Sequence, residues 1–240
     1  MMNAWSNQNS TRARVKQMLD TRSASVSVVG FISVATVTTS LIGAPGIGVI
    51  LALVIIGVVL WLRRSGLHSI GFICPVSWMK TLALGLILGT LFQLASLVLL
   101  DPLIEYITNT PTDLSEFESM RGNAGVLLNW LLVVWILVVF VEEIVFRGFL
   151  MTELKKLLGE APTQLYMNLI LTSALFGLAH WYQGPSGVLS TGIIGLVLGG
   201  IFIRSGFTLW LPIFVHGFID TLGLTLIYLN ADSYFKELWL

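Results

Sequence analysis

Apolar runs recur along this chain, and each is long enough to cross a lipid bilayer as a helix. Such a span takes about 20 residues, because a helix rises about 1.5 Å per residue and the hydrocarbon core is about 30 Å thick. Only 11% of the residues are charged and 55% are hydrophobic, whereas an ordinary soluble domain has about 25% charged residues. We therefore predict an integral membrane protein, an all-α transmembrane bundle of about seven spans and up to eight helices. The predicted spans are 25–43, 45–62, 79–100, 124–150, 163–182, 187–203 and 207–229.

The sequence divides into three segments of one integrated domain. Residues 1–24 form a polar, basic arm, residues 25–123 hold the first helices and an acidic loop, and residues 124–230 hold the charged motifs. The arm and the first run lack the features of a secretory signal peptide, so we expect the N-terminus to be retained. The net charge of zero and the lack of a basic stripe argue against nucleic acid as a partner. The single cysteine, Cys74, excludes a disulfide framework and a cysteine-based metal cluster within the chain.

The distribution of basic residues predicts the orientation in the cell membrane. They occupy alternate connections, which places the N-terminus in the cytoplasm. The opposite connections include an acidic stretch, running from Asp101 through Glu105 to Arg121, which we expect to form an outside loop that could cap a cavity. The basic residues that set this orientation are Arg12, Arg14, Lys16, Arg22, Arg63, Arg64, Lys155, Lys156 and Arg204.

Three ionisable residues, Glu142, Glu143 and Arg147, stand together in the apolar stretch 133–150. Each charge in a membrane segment costs roughly 2.5 to 3.5 kcal/mol on insertion scales, so three charges together indicate a structural or a functional role. The spacing of Glu143 and Arg147 favours an ion pair on one helix face. Glu142 lies about 100° around the helix and faces elsewhere. Either the group is a structural charge cluster, or one carboxylate is structural while the other acts in chemistry.

A histidine near the end of the fifth predicted span is the second polar element. The residues between Glu142 and His180 contain the turn 159–162, and the midpoint of the two positions, residue 161, falls in that turn. Two antiparallel helices with equal rise therefore place Glu142 and His180 at the same depth. On its own, His180 fits an interfacial, hydrogen-bonded side chain as well as a catalytic one.

The last predicted span carries the third element, His216 and Asp220, whose spacing places them on one helix face. Counted from the turn near 205, His216 lies about 16 Å into the membrane. This depth agrees with that of Glu142 and His180 to within two or three turns. The structural alternative is a helix-packing hydrogen bond beside Gly217.

Together these elements predict one buried site with a carboxylate, two imidazoles and an ion pair. A glutamate and a histidine can act as a general base on water, while the second histidine and its neighbour stabilise an oxyanion. Alternatively, Glu142, His180 and His216 bind a divalent metal such as zinc, which activates the water. Both routes describe hydrolysis inside a membrane, and the sequence leaves the choice open because a His-Glu-x-x-His motif is absent.

The order of these elements resembles the motifs of the CPBP family, which comprises CAAX proteases and bacteriocin-processing enzymes and is also called the Abi family. The three motifs are Glu-Glu-x-x-x-Arg, Phe-x-x-x-His and His-x-x-x-Asp. The resemblance covers about residues 124–230 and implies a catalytic transmembrane core. It implies an intramembrane endopeptidase, a class to which the name metalloprotease is attached, acting on a membrane-bound or lipidated peptide.

The resemblance also implies roles for individual residues. Glu142 and His180 would activate water, and His216 with Asp220 would line the oxyanion region. Glu143 and Arg147 would orient Glu142 and fix the helix. The prenyl proteases of this family usually have Asn at the position of Asp220, and an Asp donates a hydrogen bond only when it is protonated.

Three other functions compete with this interpretation. Gly-Pro-Ser-Gly at 184–187 resembles the rhomboid serine proteases, with Ser186 as nucleophile and His216 as base, although the two differ in predicted depth by about 12 Å. A proton-coupled transporter, or a non-catalytic scaffold or immunity protein of the same architecture, could also use buried carboxylates and histidines.

Overall fold

Long helices account for most of residues 14–232, the part of the chain that this computed structural model describes. Within that range there is no strand, so the all-α prediction is confirmed. Six helical stretches are long and apolar enough to cross a membrane, and a seventh helix has 17 residues, which agrees with about seven predicted spans. Residues 1–13 of the predicted basic arm, including Arg12, lie outside the described residues. The helices are α1 (Arg22–Leu41), α2 (Pro45–Arg63), α3 (Trp78–Thr108), α4 (Ala124–Leu158), α5 (Pro162–Leu178), α6 (Gly184–Arg204) and α7 (Trp210–Tyr228).

The outer surface of the bundle is apolar. Large aliphatic and aromatic side chains project outward from α1 to α4 rather than into the core, which suits contact with lipid tails and not with water. The chain is an integral membrane protein. Outward-facing examples are Phe31, Val34, Ile50, Val54, Val58, Leu84, Leu91, Leu128 and Ile136.

Helix α3 is longer than predicted and corrects the extent of the acidic loop. The expectation that Asp101 and Glu105 lie in a loop was wrong, because the helix continues through a π-helical turn at Ser96–Leu100 as far as Thr108. The hydroxyls of Ser96 and Ser190 donate to Asp101 Oδ1 at 3.1 and 2.9 Å. The carboxylate therefore has partners inside the bundle and does not need to leave it for water. The loop itself comprises residues 109–123.

Close packing of α3 against α7 fixes the helix that carries His216. At Gly89 a Cβ atom would lie 2.6 Å from the carbonyl oxygen of Val215 and 2.9 Å from the Cβ of Phe218. Only glycine allows the two backbones to approach so closely. The depth and rotation of α7 in the bundle are therefore set partly by a residue on another helix.

A buried ion pair joins α4 to the first two helices at its C-terminal end. Arg63 Nη1 donates to Glu153 Oε1 at 2.7 Å, and Ser25 Oγ donates to Glu153 Oε2 at 2.9 Å. Lys156 adds a third donor to the same carboxylate at 2.6 Å. Helix α4, which carries Glu142 and Glu143, is therefore anchored by charge well away from those residues.

Candidate active site

A cavity of about 480 Å³ inside the bundle contains the side chains of all three polar motifs. Its walls are mainly apolar and come from helices α2 to α7, with the loop 109–123 at one side. Glu142, His180, His216 and Asp220 all line this cavity. The tertiary structure thus brings together three motifs that are as far as 78 residues apart in the chain (142 to 220).

Glu142 faces both histidines from α4. Its carboxylate oxygens lie 3.9 Å from His180 Nε2 and 3.8 Å from His216 Nε2, and its side chain is 13% exposed. These separations exceed a direct hydrogen bond but fall within the reach of one bridging water. The arrangement is suited to holding a water molecule between a carboxylate and two imidazoles.

His180 lies just beyond the C-terminal end of α5, in a turn that leads into α6. The chain reverses there through Gly184, whose φ of 77° favours glycine. The His180 Nδ1 lies 2.8 Å from the carbonyl oxygen of Phe176. Because a carbonyl only accepts, Nδ1 carries the proton, and Nε2 presents its lone pair to the cavity when the ring is neutral.

His216 is held by the neighbour of Glu142. Its Nδ1 donates to Glu143 Oε1 at 2.9 Å, and the same oxygen accepts from Arg147 Nη1 at 2.9 Å. The adjacent carboxylates Glu142 and Glu143 thus face opposite nitrogens of one imidazole. Glu143 therefore holds the ring of His216 in place. The family resemblance implied a different role, in which Glu143 orients Glu142.

The Glu143–Arg147 pair is fully enclosed by protein. Glu143 is 0% exposed and Arg147 is 2% exposed. The guanidinium also lies 4.4 Å from the centre of the Phe176 ring, and Arg147 Nη2 donates to the Gly195 carbonyl at 3.4 Å. The stretch Glu143–Met151 that holds this pair is π-helical, a geometry that is frequent at functional sites. The pair therefore connects α4 to α5, α6 and α7 at the level of the site.

Asp220 lies one turn after His216 on α7. Its Oδ2 is 3.5 Å from His216 Nε2, and its side chain is 26% exposed toward the cavity. His216 Nε2 consequently lies between the carboxylates of Glu142 and Asp220. Negative charge on these groups stabilises a positive charge on the ring.

Ser186, the nucleophile in the rhomboid-like alternative, is engaged elsewhere. It is fully buried, and its hydroxyl bonds to Thr108 Oγ1 at 2.6 Å and to the Thr110 carbonyl oxygen. It does not line the cavity, whereas His216 does. The geometry gives the Ser186–His216 pair no support.

The predicted metal ligands do not form a metal site in this arrangement. No group of three His, Cys, Asp or Glu side chains within residues 14–232 is placed to hold a metal ion. Glu142, His180 and His216 are among the residues that this statement covers. Both histidines bond to protein oxygens through Nδ1, which leaves both Nε2 atoms facing Glu142.

The loop 109–123 forms part of the cavity wall and is fastened to α7. Arg121 donates two hydrogen bonds to the carboxylate of Asp232, at 2.7 and 2.9 Å, and Gly122 N donates to the Tyr228 carbonyl at 2.9 Å. Asp232, and to a lesser degree Glu118, raises the pKa of Arg121 above its usual value. These contacts hold the loop in place along one side of the cavity, and a capping role for it stays a prediction.

Several cavity residues escaped the sequence analysis, among them an aromatic side chain two residues after His180. Tyr182 lines the cavity, and its ring centre is 5.8 Å from that of His180. It lies in a short 3₁₀ turn, Trp181–Gln183, where no helical periodicity assigns a side chain to a face. Its spacing of two residues from His180 was the only signal available.

Comparison with known proteins identifies part of the chain. Residues 124–222 match the family model described as "Rce1-like: Type II CAAX prenyl endopeptidase Rce1-like". No curated protein and no solved structure matches the chain. The matched residues include all of α4, α5 and α6 and most of α7, together with Glu142, His180, His216 and Asp220. Residues 124–222 are therefore similar to the type II CAAX prenyl endopeptidases, in agreement with the resemblance to the CPBP family that the three motifs indicated.

Proposed function

We propose that this protein hydrolyses a peptide bond of a membrane-associated or lipidated peptide with a water molecule activated by Glu142 and His180. The observation that carries this proposal is the position of the Glu142 carboxylate, which faces two imidazole Nε2 atoms at 3.9 and 3.8 Å in one cavity. A water between these groups can give a proton to a carboxylate or to a neutral imidazole.

The proposed reaction proceeds in two steps. The water oxygen attacks the scissile carbonyl carbon while Glu142 takes the proton, and His180 Nε2 orients the water by accepting its second hydrogen. In the second step the C–N bond breaks, and Glu142 returns the proton to the leaving amine. The products are a carboxylic acid and an amine, which become a carboxylate and an ammonium group when the acid passes its proton to the amine, so no co-reactant other than water is needed.

His216 is proposed to stabilise the oxyanion. Its Nδ1–H is committed to Glu143, so a donation from Nε2 to the oxyanion requires the doubly protonated ring. Glu143, Glu142 and Asp220 all lie within 4 Å of this ring, and their charges favour that form. In this scheme Asp220 acts through His216 and does not itself donate to the substrate.

Cleavage by purified protein tests the function and the metal question together. Detergent-solubilised protein is incubated with a library of membrane peptides, and the products are identified by mass spectrometry. We expect cleavage of a subset of the library, with a rate that exhaustive dialysis against a chelator leaves unchanged. Loss of activity with the chelator and recovery with zinc would replace this scheme with a metal-dependent one. Complete absence of cleavage by folded protein would favour the scaffold or transporter.

We also propose that the N-terminus faces the cytoplasm, and the single cysteine of the chain offers a direct test. Cys74 is exposed and lies in the connection between α2 and α3, on the side that the basic residues assign to the cytoplasm. We expect a membrane-impermeant maleimide to label Cys74 in inside-out vesicles and not in intact cells. Labelling of intact cells would reverse the orientation, and Cys74→Ser provides the background.

A further inference from the structure

A glutamine of the membrane helices, Gln93 on α3, has a side chain that the protein does not pair. This side chain lines the cavity of the candidate active site and is half-buried there. Among the described residues, no side chain or backbone group forms a hydrogen bond with its carboxamide. The cavity lining has one other carboxamide, that of Gln183, which donates to the hydroxyl of Tyr182 at 3.3 Å. Gln93 therefore offers two N–H donors and a carbonyl acceptor to whatever occupies the cavity.

The packing of α3 against α7 places this carboxamide next to the proposed reaction centre. Gln93 follows Gly89 by one helical turn, so it lies on the face of α3 that meets α7. A Cβ atom at Gly223 of α7 would lie 3.5 Å from Gln93 Nε2. Gly223 comes three residues after Asp220 and seven after His216, which amounts to about 4.5 and 10.5 Å along the helix axis. The carboxamide therefore lies a short distance along the cavity from the residues proposed to act on the scissile bond.

A peptide that is cleaved in this cavity has to present its backbone there in an extended form. In a helix each carbonyl accepts from an N–H of the same chain, so the scissile carbonyl and its neighbours become accessible only after local unwinding. Away from water, the freed N–H and C=O groups are unfavourable unless they find other partners. The cavity walls are mainly apolar and are built from helices, which use their own backbone groups internally. An unwound segment therefore depends on polar side chains of the cavity for its backbone hydrogen bonds.

We propose that Gln93 binds the main chain of an extended substrate segment, donating from Nε2 to a backbone carbonyl and accepting at Oε1 from a backbone N–H. A carboxamide has the same donor and acceptor as a peptide group, so this pairing is independent of the substrate side chain. Because an extended chain advances about 3.3 Å per residue, the paired residue lies about one to three residues from the scissile bond. This inference rests on the proposed function for the position of that bond, whereas main-chain binding does not depend on cleavage.

Replacement of single amides by esters in a bound peptide tests this contact. The probe is the fluorescently labelled membrane peptide that binds most tightly to His180→Gln, a variant that lacks one group of the proposed water-activating pair. Each ester replaces one backbone N–H with an oxygen atom, and the replacement is scanned along the peptide. We expect one ester to weaken binding by about threefold to tenfold, the usual net contribution of one hydrogen bond. Adding Gln93→Leu to the same variant should abolish this penalty.

Two further measurements separate a binding role from a structural one. Gln93→Leu removes a carboxamide that has no partner in the protein, so the midpoint of unfolding by denaturant in detergent should not fall. Gln183→Leu makes the same change at the carboxamide that bonds to Tyr182, and the ester penalty should persist in that variant. A lower midpoint for Gln93→Leu, an ester penalty that survives this substitution, or one that Gln183→Leu also abolishes would overturn the proposal.

Binding and cleavage report on different proposals. If the wild-type protein cleaves the probe peptide, Gln93→Leu should lower kcat/KM by about threefold to tenfold, and the sensitive ester should lie about one to three residues from the cleaved bond. If the wild type cleaves no peptide but an ester penalty depends on Gln93, the endopeptidase proposal fails and the main-chain contact stands. If no ester weakens binding, or if no membrane peptide binds, the contact is refuted whatever the outcome for cleavage.

Discussion

Replacing Glu142 with glutamine is expected to reduce peptide hydrolysis by about 10²- to 10⁴-fold, the usual contribution of a general acid–base group. Glutamine fills the same volume and keeps the cavity, but it cannot take a proton from water or return one to the leaving amine. The measurement is kcat/KM for a cleaved peptide, with thermal unfolding in detergent as a check that the variant is folded.

Two controls make this prediction specific. Glu160→Gln makes the same change at an exposed side chain in the turn between α4 and α5, and it should leave the rate unchanged. Ser186→Ala removes the hydroxyl required by the rhomboid-like alternative and should keep the activity, since that hydroxyl only bonds to Thr108 and Thr110. Near-wild-type hydrolysis by Glu142→Gln, or an inactive but folded Ser186→Ala protein, would contradict the assignment.

Removing Glu143 is expected to lower the free energy of unfolding by about 3 to 5 kcal/mol, the range found when one partner of a buried ion pair is deleted. Glu143→Ala leaves the guanidinium of Arg147 buried without its carboxylate, and it also removes the acceptor of His216 Nδ1. Unfolding of the purified protein, titrated with denaturant in detergent, gives this quantity. Any folded fraction should hydrolyse more slowly, because His216 has lost the group that holds its ring.

A double substitution distinguishes a pair from two independent residues. Glu143→Leu with Arg147→Met replaces both charges with apolar groups, so it should cost clearly less than the sum of the two single changes. The comparison pair is Lys155 and Glu160, whose glutamate is 75% exposed. Lys155→Met should change stability by less than about 1 kcal/mol. Additive effects of the Glu143 and Arg147 substitutions would show that the two side chains are not coupled.

Local regularities in the sequence predicted much of the site. Apolar run length predicted most of the helices, although α3 continues eight residues beyond its predicted end at 100. The spacing of four residues predicted that Glu143 meets Arg147, and their ion pair is present at 2.9 Å. Counting residues through the turn at 161 placed Glu142 level with His180, and the two side chains lie 3.9 Å apart. All three results depend on distances within one helix or one hairpin, which a regular rise and a fixed turn determine.

Contacts between helices that are remote in sequence could not be predicted from the sequence and became visible only in the tertiary structure. The rotation and shift of the helices against one another decide three such contacts. Glu143 supports His216, Ser190 on α6 bonds to Asp101 on α3, and Ser186 faces Thr108. Those offsets are set by side-chain packing such as that of Gly89 against Val215, to within an ångström or two. The sequence by itself therefore determined that this is a membrane helix bundle and which residues carry charge within it. Only the packed structure decided which of them share one cavity, because hydrophobic patterns determine which segments enter the membrane but leave the rotation of each helix open.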